Sequence, residues 1–419
     1  MKIALISAHA SPLASGGGLH SGGLNVSVAN LARELGRAGH QVDVLTRRDD
    51  LWTAPVVELA PNVSVVHLPA GPARPVGAEA MLVHMDDFAA RAVRYCGAEG
   101  GTYDIVHANF FLSGLAAIRL KERYGTPFVM ALHDLGKVRQ RDRREFDGFP
   151  SERPKIESKL VSAADRLIAG SLQEHDNLVC FYGADPARVE VVPRGFDPAE
   201  LGPGAKTARS RLGLPDDEFV VLHVGRVVPS EGIDDLVRGI ARLKRHHCVT
   251  ARLLVVGGES EAPDPQRTPE IARLRAIATA EGVAAQLVFA GRVARAALRE
   301  CYCAADAFVT TPRHESFGIT PIEALACGIP VVGTAVGGIE DAVVDAMTGY
   351  LVPPNDPAAL AEQLARFHRN PELARAFGRA GILRTRGRFT WRHVAAELAR
   401  IYAAVLAPHR SRLATVVSR

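Results

Sequence analysis

Two glutamates with seven residues between them, Glu315 and Glu323, stand at the two ends of the stretch ESFGITPIE. Glu315 follows a segment typical of a strand, AFVTTP, and Glu323 falls in the first turn of a predicted helix. Free amides at a helix N-terminus bind phosphate well, because the helix dipole is positive there. A carboxylate beside a phosphate is unfavourable unless it accepts hydrogen bonds from hydroxyl groups. The pattern therefore predicts a nucleoside-diphosphate sugar, with helix amides on the diphosphate and one glutamate on each sugar ring.

A simpler explanation exists for Glu323. Thr320 suits the N-cap position of the helix, Pro321 suits its first position, and Glu323 would then complete a capping box. The sequence leaves both interpretations of Glu323 open. A cap does not explain Glu315, which lies in the loop between the strand and the helix.

The strands and helices that position these residues can be predicted from the length of the chain and from its pattern of apolar residues. A chain of 419 residues favours two domains. Short apolar segments such as KIALIS, QVDVLT and DIVHAN alternate with helical patterns, which indicates parallel sheets covered by helices. A stretch rich in Pro, Gly and charge, residues 196–218, is the candidate linker, and a second series begins at FVVLHVGR.

We therefore predict an α/β protein with two Rossmann-like, doubly wound parallel-sheet domains that face each other across a cleft. The predicted domains are residues 1–200, which would bind the acceptor, and residues 201–399, which would bind the nucleotide sugar. A C-terminal helix, residues 400–419, is expected to pack back on the first domain. Ligands of such sheets bind outside the carboxyl ends of the strands.

Composition excludes several classes of protein. The apolar fraction of 47% and the charged fraction of 23% are typical of a globular protein. The formal charge is 50 − 46 = +4 with interspersed signs, which does not indicate nucleic-acid binding. No apolar run approaches the roughly 20 residues that span a bilayer, and the N-terminal run fits a strand better than a signal peptide. A basic stretch, residues 136–155, is either a solvated loop or a surface that faces a substrate or a membrane.

The six cysteines are scattered and match neither a disulfide framework nor a zinc-site spacing, so a reducing cytoplasm is the expected location and no metal site is predicted. Cys301 and Cys303 lie in a helical pattern and are assigned to core packing. The stretch GGGLHSGG is no dinucleotide fingerprint, because Ser21 stands where the third glycine is needed.

The chain resembles a known family at several places in order. ESFGITPIE, followed by ACGIPVV and GG, is similar to the signature of the family 4 retaining glycosyltransferases, which have the GT-B fold. SGGLNVSVANLARELGRAGHQVDVLTRRDD resembles the glycine loop of the branch that contains sucrose-phosphate synthase and the mycothiol-pathway inositol-phosphate glycosyltransferase. HANFFLSGLA, HDLGKV, VVPRGFD, VGRVVP and VFAGRV also match. The resemblance implies sugar transfer from a nucleoside-diphosphate sugar to a small-molecule acceptor with retention and without metal or cofactor.

The resemblance also implies roles for individual residues. The catalytic group would comprise Glu315, His133 and Arg226. The donor would contact Gly23, Arg226, Arg292, Val293, Glu315, Phe317, Gly318, Ile319 and Glu323. Two of these residues also have a purely structural explanation. His133 could serve only to end a strand, and Arg226 could serve only in a salt bridge within the protein.

One residue departs from the family pattern on the donor side. Glu231 stands where the family has a lysine that pairs with the diphosphate. A carboxylate at 4 Å from one phosphate charge costs on the order of 4 kcal/mol at an effective dielectric of 20. Glu231 could turn away, Arg313 could take over, or the donor could be unusual. A non-catalytic sugar-nucleotide-binding protein and a sugar-nucleotide epimerase are the rival classes.

The acceptor side departs as well. Asn25 and Arg153 keep the family residues, whereas Ala78, Phe110 and Asp134 fall where the relatives have Lys, Tyr and Thr to bind a phosphate. Loss of a cation and two hydroxyls, with gain of a carboxylate, disfavours a phosphorylated acceptor. We therefore expect a neutral or cationic acceptor, such as an aminocyclitol, an antibiotic precursor or a betaine-like molecule, rather than inositol phosphate. That acceptor would place the protein in secondary metabolism; a homodimer remains open.

Overall fold

The structure is a computed structural model that describes residues 1–13, 23–98, 101–142, 148–204, 208–315 and 317–417. It divides into two compact units, Met1–Arg194 with Trp391–Arg419, and Gly195–Thr390. At both points where the chain passes from one unit to the other, the observed boundary lies a few residues before the predicted domain boundary. In the described residues no helix combines the length and the apolar character needed to cross a bilayer.

The first unit is built on one sheet whose described strands have the order β3-β4-β2-β1-β5-β6-β7-β8. All neighbours are parallel except β3, which pairs antiparallel with β4. The strands are β1 (Lys2–Ile6), β2 (Gln41–Arg47), β3 (Val56–Ala60), β4 (Val63–Leu68), β5 (Ile105–Asn109), β6 (Phe128–Ala131), β7 (Arg166–Ala169) and β8 (Val189–Val191). From β1 the chain first adds strands on one side of the sheet and then, from β5 onwards, on the other side. The position between β1 and β5 is therefore the topological switch point, where ligands of such sheets bind.

Helices cover both faces of this sheet. They are α1 (Gly23–Arg37), α2 (Met85–Ala98), α3 (Phe110–Tyr124), α4 (Gly136–Asp142), α5 (Arg153–Ala163), α6 (Leu172–Tyr182) and α15 (Trp391–Val417). On α1 the periodic residues Val28, Leu31 and Leu35 are buried, as their spacing predicts. The helix α15 packs on α1 and contributes Trp391 and Tyr402 to the same apolar core.

The second unit has a fully parallel sheet with the order β11-β10-β9-β12-β13-β14 in its described part. The strands are β9 (Phe219–Val224), β10 (Ala251–Val256), β11 (Leu287–Gly291), β12 (Ala307–Thr310), β13 (Val331–Thr334) and β14 (Gly349–Val352). The helices are α7 (Ala208–Arg211), α8 (Ile233–His247), α9 (Pro269–Ala280), α10 (Arg295–Ala304), α11 (Ile319–Ala326), α12 (Gly338–Ala342), α13 (Pro357–Arg369) and α14 (Pro371–Arg388). The switch point lies between β9 and β12, and the segments after these two strands carry Arg226 and Glu315.

Candidate active site

The helix mouth after β12 is the centre of the predicted donor site. Glu315 turns its carboxylate back onto this mouth, where Oε1 accepts hydrogen bonds from the amides of Phe317 at 2.9 Å and Gly318 at 3.2 Å. An anion is thus already favoured at this position, because backbone amides and the positive end of the helix dipole converge there. Two of the amides predicted for the diphosphate are therefore bonded to the glutamate predicted for the sugar.

Glycines shape this mouth. Gly318 is the N-cap residue of α11 and has a φ of 62°, and a Cβ there would lie 2.4 Å from the carbonyl oxygen of Gly338. Gly337 has a φ of 48°, and its Cβ would lie 1.9 Å from the carbonyl oxygen of Glu315. The loop that carries Glu315 therefore packs directly on the backbone of the glycine pair, which side chains would prevent.

The predicted capping box is wrong. The helix begins at Ile319 behind Gly318, so Thr320 is its second residue and not its cap. Glu323 instead receives a hydrogen bond from the hydroxyl of Tyr302 at 2.9 Å and pairs with Nη1 of Arg295 at 3.0 Å. Its side chain is only 4% exposed. Burial, with the carboxylate of Glu323 second, raises the pKa of Tyr302 well above 10, so the phenol stays a donor.

This environment bears on the predicted ribose contact. Each oxygen of Glu323 has one protein partner, and an ionised carboxylate can accept up to four hydrogen bonds. Arg295 is held in turn by Glu200, at 2.8 Å from Nε to Oε2. Glu323 is therefore a rigid, buried acceptor between α10 and α11 with capacity for hydroxyl donors.

Arg226 pairs with the residue that departs from the family pattern. Its Nη2 and Nε lie 2.8 Å and 3.1 Å from Oε1 of Glu231, which ends a short turn, Pro229–Glu231. Arg226 is 71% exposed and Glu231 13%. Without a diphosphate, Glu231 therefore faces Arg226, and the three alternatives for its place beside a bound donor stay predictions. Arg313 lies beside the same turn, with its backbone amide bonded to the carbonyl oxygen of Ser230 at 3.2 Å.

Arg292 and Val293 follow the end of β11 on the same edge of the second sheet. The backbone amide of Arg292 donates to the carbonyl oxygen of Ser260 at 2.8 Å, which anchors this loop. Val293 is half-buried against the apolar cluster of the unit. Their proposed contact with a nucleobase stays a prediction.

In the first unit, His133 follows β6 in a left-handed conformation with a φ of 65°. Its Nε2 lies 2.9 Å from Oδ1 of Asn109, an oxygen that can only accept, so the ring proton sits on Nε2 and Nδ1 is an acceptor. Burial, with the charge of Arg194 second, lowers the pKa of His133 well below 6.5. A neutral imidazole in strained backbone is typical of a binding position, since such strain concentrates at functional sites.

Glu174 is a residue that the sequence analysis missed. Its Oε2 accepts from the amide of Gly170 at 2.7 Å, and the backbone N–H of His133 also stabilises the carboxylate. Burial raises the pKa of Glu174 to about 7. The available signal was the pattern SLQE, which is typical of a capping box. Ser171 does cap α6 by accepting from the amide of Glu174, whereas the Glu174 carboxylate binds the amide of Gly170.

The predicted acceptor residues form an internal network. Arg153 is 1% exposed, and its Nε donates to Oε1 of Glu157 at 2.7 Å. Oδ2 of Asp134 lies 2.6 Å from Nη1 of Arg139 and 3.5 Å from Nη2 of Arg153. The premise that Asp134 offers a free carboxylate to a cationic acceptor is therefore wrong, because two arginines already neutralise it.

Two buried nitrogens of this region lack a hydrogen-bond partner among the described residues, Nη1 of Arg153 and Nδ1 of His9. The guanidinium of Arg153 lies 4.4 Å from the ring centroid of Phe149 and 5.1 Å from that of Phe110. The ring of His9 lies 4.7 Å from that of Phe110, whose φ is 70°. Buried unsatisfied polar atoms are costly, and Nη1 of Arg153 can only donate, so it indicates a place for an acceptor of hydrogen bonds.

The remaining predicted residues are placed as follows. Asn25 is buried, and its Nδ2 donates to the carbonyl oxygen of Ser11 at 2.9 Å. Gly23 is the first residue of α1, while the glycine-rich loop 14–22 before it lies outside the described residues. Ala78 opens a short turn, Ala78–Ala80. Part of the basic stretch is helical, because residues 136–142 form α4 and residue 153 begins α5.

Two family descriptions match this chain, a glycosyl transferase 4-like domain over residues 22–195 and glycosyl transferases group 1 over residues 205–384. A D-inositol 3-phosphate glycosyltransferase of Acidothermus cellulolyticus is 38% identical over 416 residues, covering 98% of this chain and 92% of that protein. The chain belongs to the group 1 glycosyltransferases. A D-inositol 3-phosphate glycosyltransferase of Catenulispora acidiphila is also 38% identical, with 98% and 97% of the two chains covered.

The fold of this group 1 glycosyltransferase agrees with a solved relative. Sucrose-phosphate synthase of Thermosynechococcus elongatus superposes with a TM-score of 0.84 at 32% identity, covering 97% of this chain and 99% of that one. The predicted GT-B fold class and the predicted family are confirmed. The relatives named for inositol 3-phosphate argue against our exclusion of inositol phosphate as the acceptor.

Proposed function

We propose that this glycosyltransferase moves a sugar from a nucleoside-diphosphate sugar to a hydroxyl group of a phosphorylated cyclitol, with retention at the anomeric carbon. The observation that carries the donor half is the α11 mouth at the switch point, where the amides of Phe317 and Gly318 hold an anionic group. In the proposed complex the diphosphate replaces the Glu315 carboxylate at those amides. Glu315 then turns to the sugar hydroxyls, and Glu323 accepts from the ribose.

The leaving group would be stabilised by the protein and not by a nucleophilic side chain. The bond between the anomeric carbon and the phosphate oxygen breaks, while the acceptor oxygen bonds to the same face of the carbon. The acceptor proton passes to the departing phosphate oxygen. Arg226 and the α11 amides are arranged for the developing negative charge, which is the strongest general means of lowering such a barrier. The neutral His133 would form a hydrogen bond with a hydroxyl group of the donor sugar.

A phosphorylated acceptor is supported by two observations. The relatives of this chain include proteins named for inositol 3-phosphate. The buried guanidinium of Arg153 has Nη1 without a partner among the described residues, and that donor suits a phosphate oxygen. Phe110 and Ala78 supply no hydrogen-bond donors from their side chains, so we expect weaker acceptor binding than a site with Lys and Tyr would give.

The test begins with binding and ends with product. A thermal-shift screen of uridine, guanosine and adenosine diphosphates identifies the base, and the matching sugar nucleotides are then offered with inositol phosphate or an aminocyclitol. We expect transfer to inositol phosphate, an α-linked product from an α-linked donor by NMR, and loss of at least about a hundredfold in kcat for Glu315→Ala. Turnover of the aminocyclitol alone would restore the original acceptor prediction. No nucleotide binding at all would leave the chain as a non-catalytic member of the fold.

A further inference from the structure

Arg295, which the sequence analysis did not single out, is the first residue of α10 and lies beside Glu323. Its Nη1 donates to Oε1 of Glu323 at 3.0 Å. Its Nε donates to Oε2 of Glu200 at 2.8 Å, and Glu200 ends a turn at residues 198–200. One guanidinium therefore links α11 to the segment with which the chain enters the second unit.

The carboxylate of Glu323 depends on this arginine for its charge. The side chain of Glu323 is 4% exposed, whereas that of Arg295 is 33% exposed and that of Glu200 46%. A buried carboxylate that loses its cationic partner is strongly destabilised. The planar fork of an arginine can hold two carboxylates in one fixed geometry, which the point charge of a lysine cannot. Arg295 therefore keeps Glu323 ionised, and an ionised carboxylate can only accept hydrogen bonds.

Two donors from one face of α10 fix the orientation of this carboxylate. Tyr302 stands seven residues after Arg295, two helical turns further along, so both side chains point to the same side of the helix. The Tyr302 hydroxyl donates to Oε2 of Glu323 at 2.9 Å, while Arg295 occupies Oε1. Each oxygen keeps capacity for another donor. Two neighbouring hydroxyl groups, as on a ribose ring, supply such a pair of donors.

We propose that Arg295 positions Glu323 for the ribose hydroxyls of the bound nucleotide, and that this chain thereby prefers ribonucleotides to 2′-deoxyribonucleotides. The inference rests on the proposed function. Arg295 acts through Glu323 and needs no contact with the nucleotide. Without the arginine, the buried carboxylate loses its fixed orientation and its countercharge, and it takes up a proton more readily. A protonated carboxyl group accepts fewer hydrogen bonds, so the ribose preference must fall.

A second arginine of α10 separates this role from a merely structural one. Arg299 lies one turn after Arg295, and its Nε and Nη2 donate to the carbonyl oxygens of Gly202 at 3.1 Å and Pro203 at 2.6 Å. It therefore joins α10 to the same segment that carries Glu200, through backbone oxygens and not through a carboxylate. Arg299→Met removes a comparable tether and is the matched control for Arg295→Met.

The test measures affinity for pairs of nucleotides by isothermal titration on the full chain. The probes are uridine, adenosine and guanosine diphosphates, each with its 2′-deoxy counterpart. For the base that binds, we expect the wild type to prefer the ribose form about thirtyfold, as a hydrogen bond to a charged acceptor gives. The preference should fall to about fivefold in Arg295→Met and stay at the wild-type value in Arg299→Met. Circular dichroism checks that the variants are folded.

Two further variants show whether Arg295 acts through Glu323. Arg295→Lys restores the charge without the fork, so its preference should lie between those of the wild type and Arg295→Met. Glu323→Gln should lower the preference by itself. In that background, Arg295→Met should change the preference by less than about twofold, because two residues that act through one contact are not additive.

The ratio of the two affinities decides between the outcomes. Equal losses of affinity for both sugar forms in Arg295→Met would reduce Arg295 to a structural contact. The same fall in preference in Arg299→Met, or a wild type without preference for ribose, would also overturn the positioning role while nucleotide binding, and with it the proposed function, still stands. Failure of all six nucleotides to bind the wild type would overturn the proposed function and this inference with it.

Discussion

At the scale of single residues, we predict that the pair of Arg226 and Glu231 sets how strongly the proposed diphosphate donor binds. A donor must compete with Glu231 for Arg226, which lies 2.8 Å from it. The arginine is largely exposed, so the pair itself is weak, about 1 kcal/mol or less. We therefore predict that the charge of Glu231 lowers the affinity for the proposed donor without abolishing it.

We predict that Glu231→Gln lowers the donor KM about fivefold and leaves kcat nearly unchanged, because the substitution removes a repulsion present with substrate and transition state alike. Isothermal titration with the nucleoside diphosphate gives the same ratio without turnover. Glu261→Gln, in a loop of the same unit, is the control for a general change in net charge. An unchanged KM in Glu231→Gln would mean that the diphosphate does not approach this turn.

We predict that Glu174 positions His133. Its carboxylate accepts from the amide of Gly170, and its pKa is lowered in part by the backbone amide of His133, a residue in a left-handed conformation that histidine rarely adopts. Removing the carboxylate should let the backbone of His133 relax. The imidazole ring would then move away from its hydrogen bond with Asn109.

We expect Glu174→Ala to lower kcat between about tenfold and a hundredfold with a smaller effect on donor KM, as misplacement of a catalytic group does. Glu174→Gln keeps an acceptor oxygen and should restore most of the activity. It should also remove an inflection near pH 7 from the kcat profile, since burial raises the pKa of Glu174 to about 7. Full activity of Glu174→Ala at every pH would reduce Glu174 to a helix cap.

At the scale of elements, the start of α11 depends on a backbone conformation and not on a side-chain cap. Gly318 stands where the chain turns with positive φ and touches the carbonyl oxygen of Gly338. The position of the helix mouth is therefore set by backbone packing between two neighbouring loops. This close backbone packing explains why these loops have glycine at positions 318, 337 and 338.

We predict that Gly318→Ala destabilises the second unit by about 1–2 kcal/mol from the left-handed conformation alone, and by more from the clash. Gly282→Ala is a matched control, because Gly282 has a φ of 72° and no atom within 4 Å of a Cβ. Urea unfolding measures both free energies. Nucleotide affinity should fall in Gly318→Ala and stay unchanged in Gly282→Ala. Equal losses of stability in the two variants would show that the loops can separate without cost.

At the scale of the whole molecule, buried histidines couple stability to acid. Burial is the first cause that lowers the pKa of His9 to about 4, of His107 to about 3 and of His223 to about 4, and His133 is lowered as well. A histidine whose pKa is lower in the folded than in the unfolded state contributes stability above pH 6.5 and loses it as pH falls towards 4. Glu174 acts oppositely, because its raised pKa favours folding at low pH.

Three of these histidines belong to the first unit and only His223 to the second. We therefore predict that the first unit loses more stability between pH 6.5 and 4, by about 2–3 kcal/mol for each additional histidine. Both tryptophans, Trp52 and Trp391, lie in the first unit, so tryptophan fluorescence follows its unfolding. Hydrogen exchange of peptides from residues 195–390 follows the second unit. Parallel losses in both units across this pH range would contradict the prediction.

What the sequence determined by itself is the fold, the family and the position of candidate site residues such as Arg226 and Glu315 after strand ends. Buried parallel strands are continuous apolar runs, and helices carry their own 3.6-residue period, so local patterns suffice to order the elements. The segments after β9 and β12, which carry Arg226 and Glu315, could be assigned to one edge of the sheet because the carboxyl ends of parallel strands all lie on the same side. Glu315, in a loop after β12, was singled out for the same reason.

Which charges pair was decided only by the tertiary structure. Glu323 meets Tyr302 and Arg295 from another helix, and Asp134 meets Arg139 and Arg153, although each carboxylate was assigned to a substrate. Cys301 and Cys303 lie two residues apart, yet Cys301 is buried in the core whereas Cys303 packs at the edge of that core and also lines a cavity. The physical reason is common to all: a local pattern tells which face of an element is buried, whereas the partner of a polar side chain depends on side chains that only folding brings near.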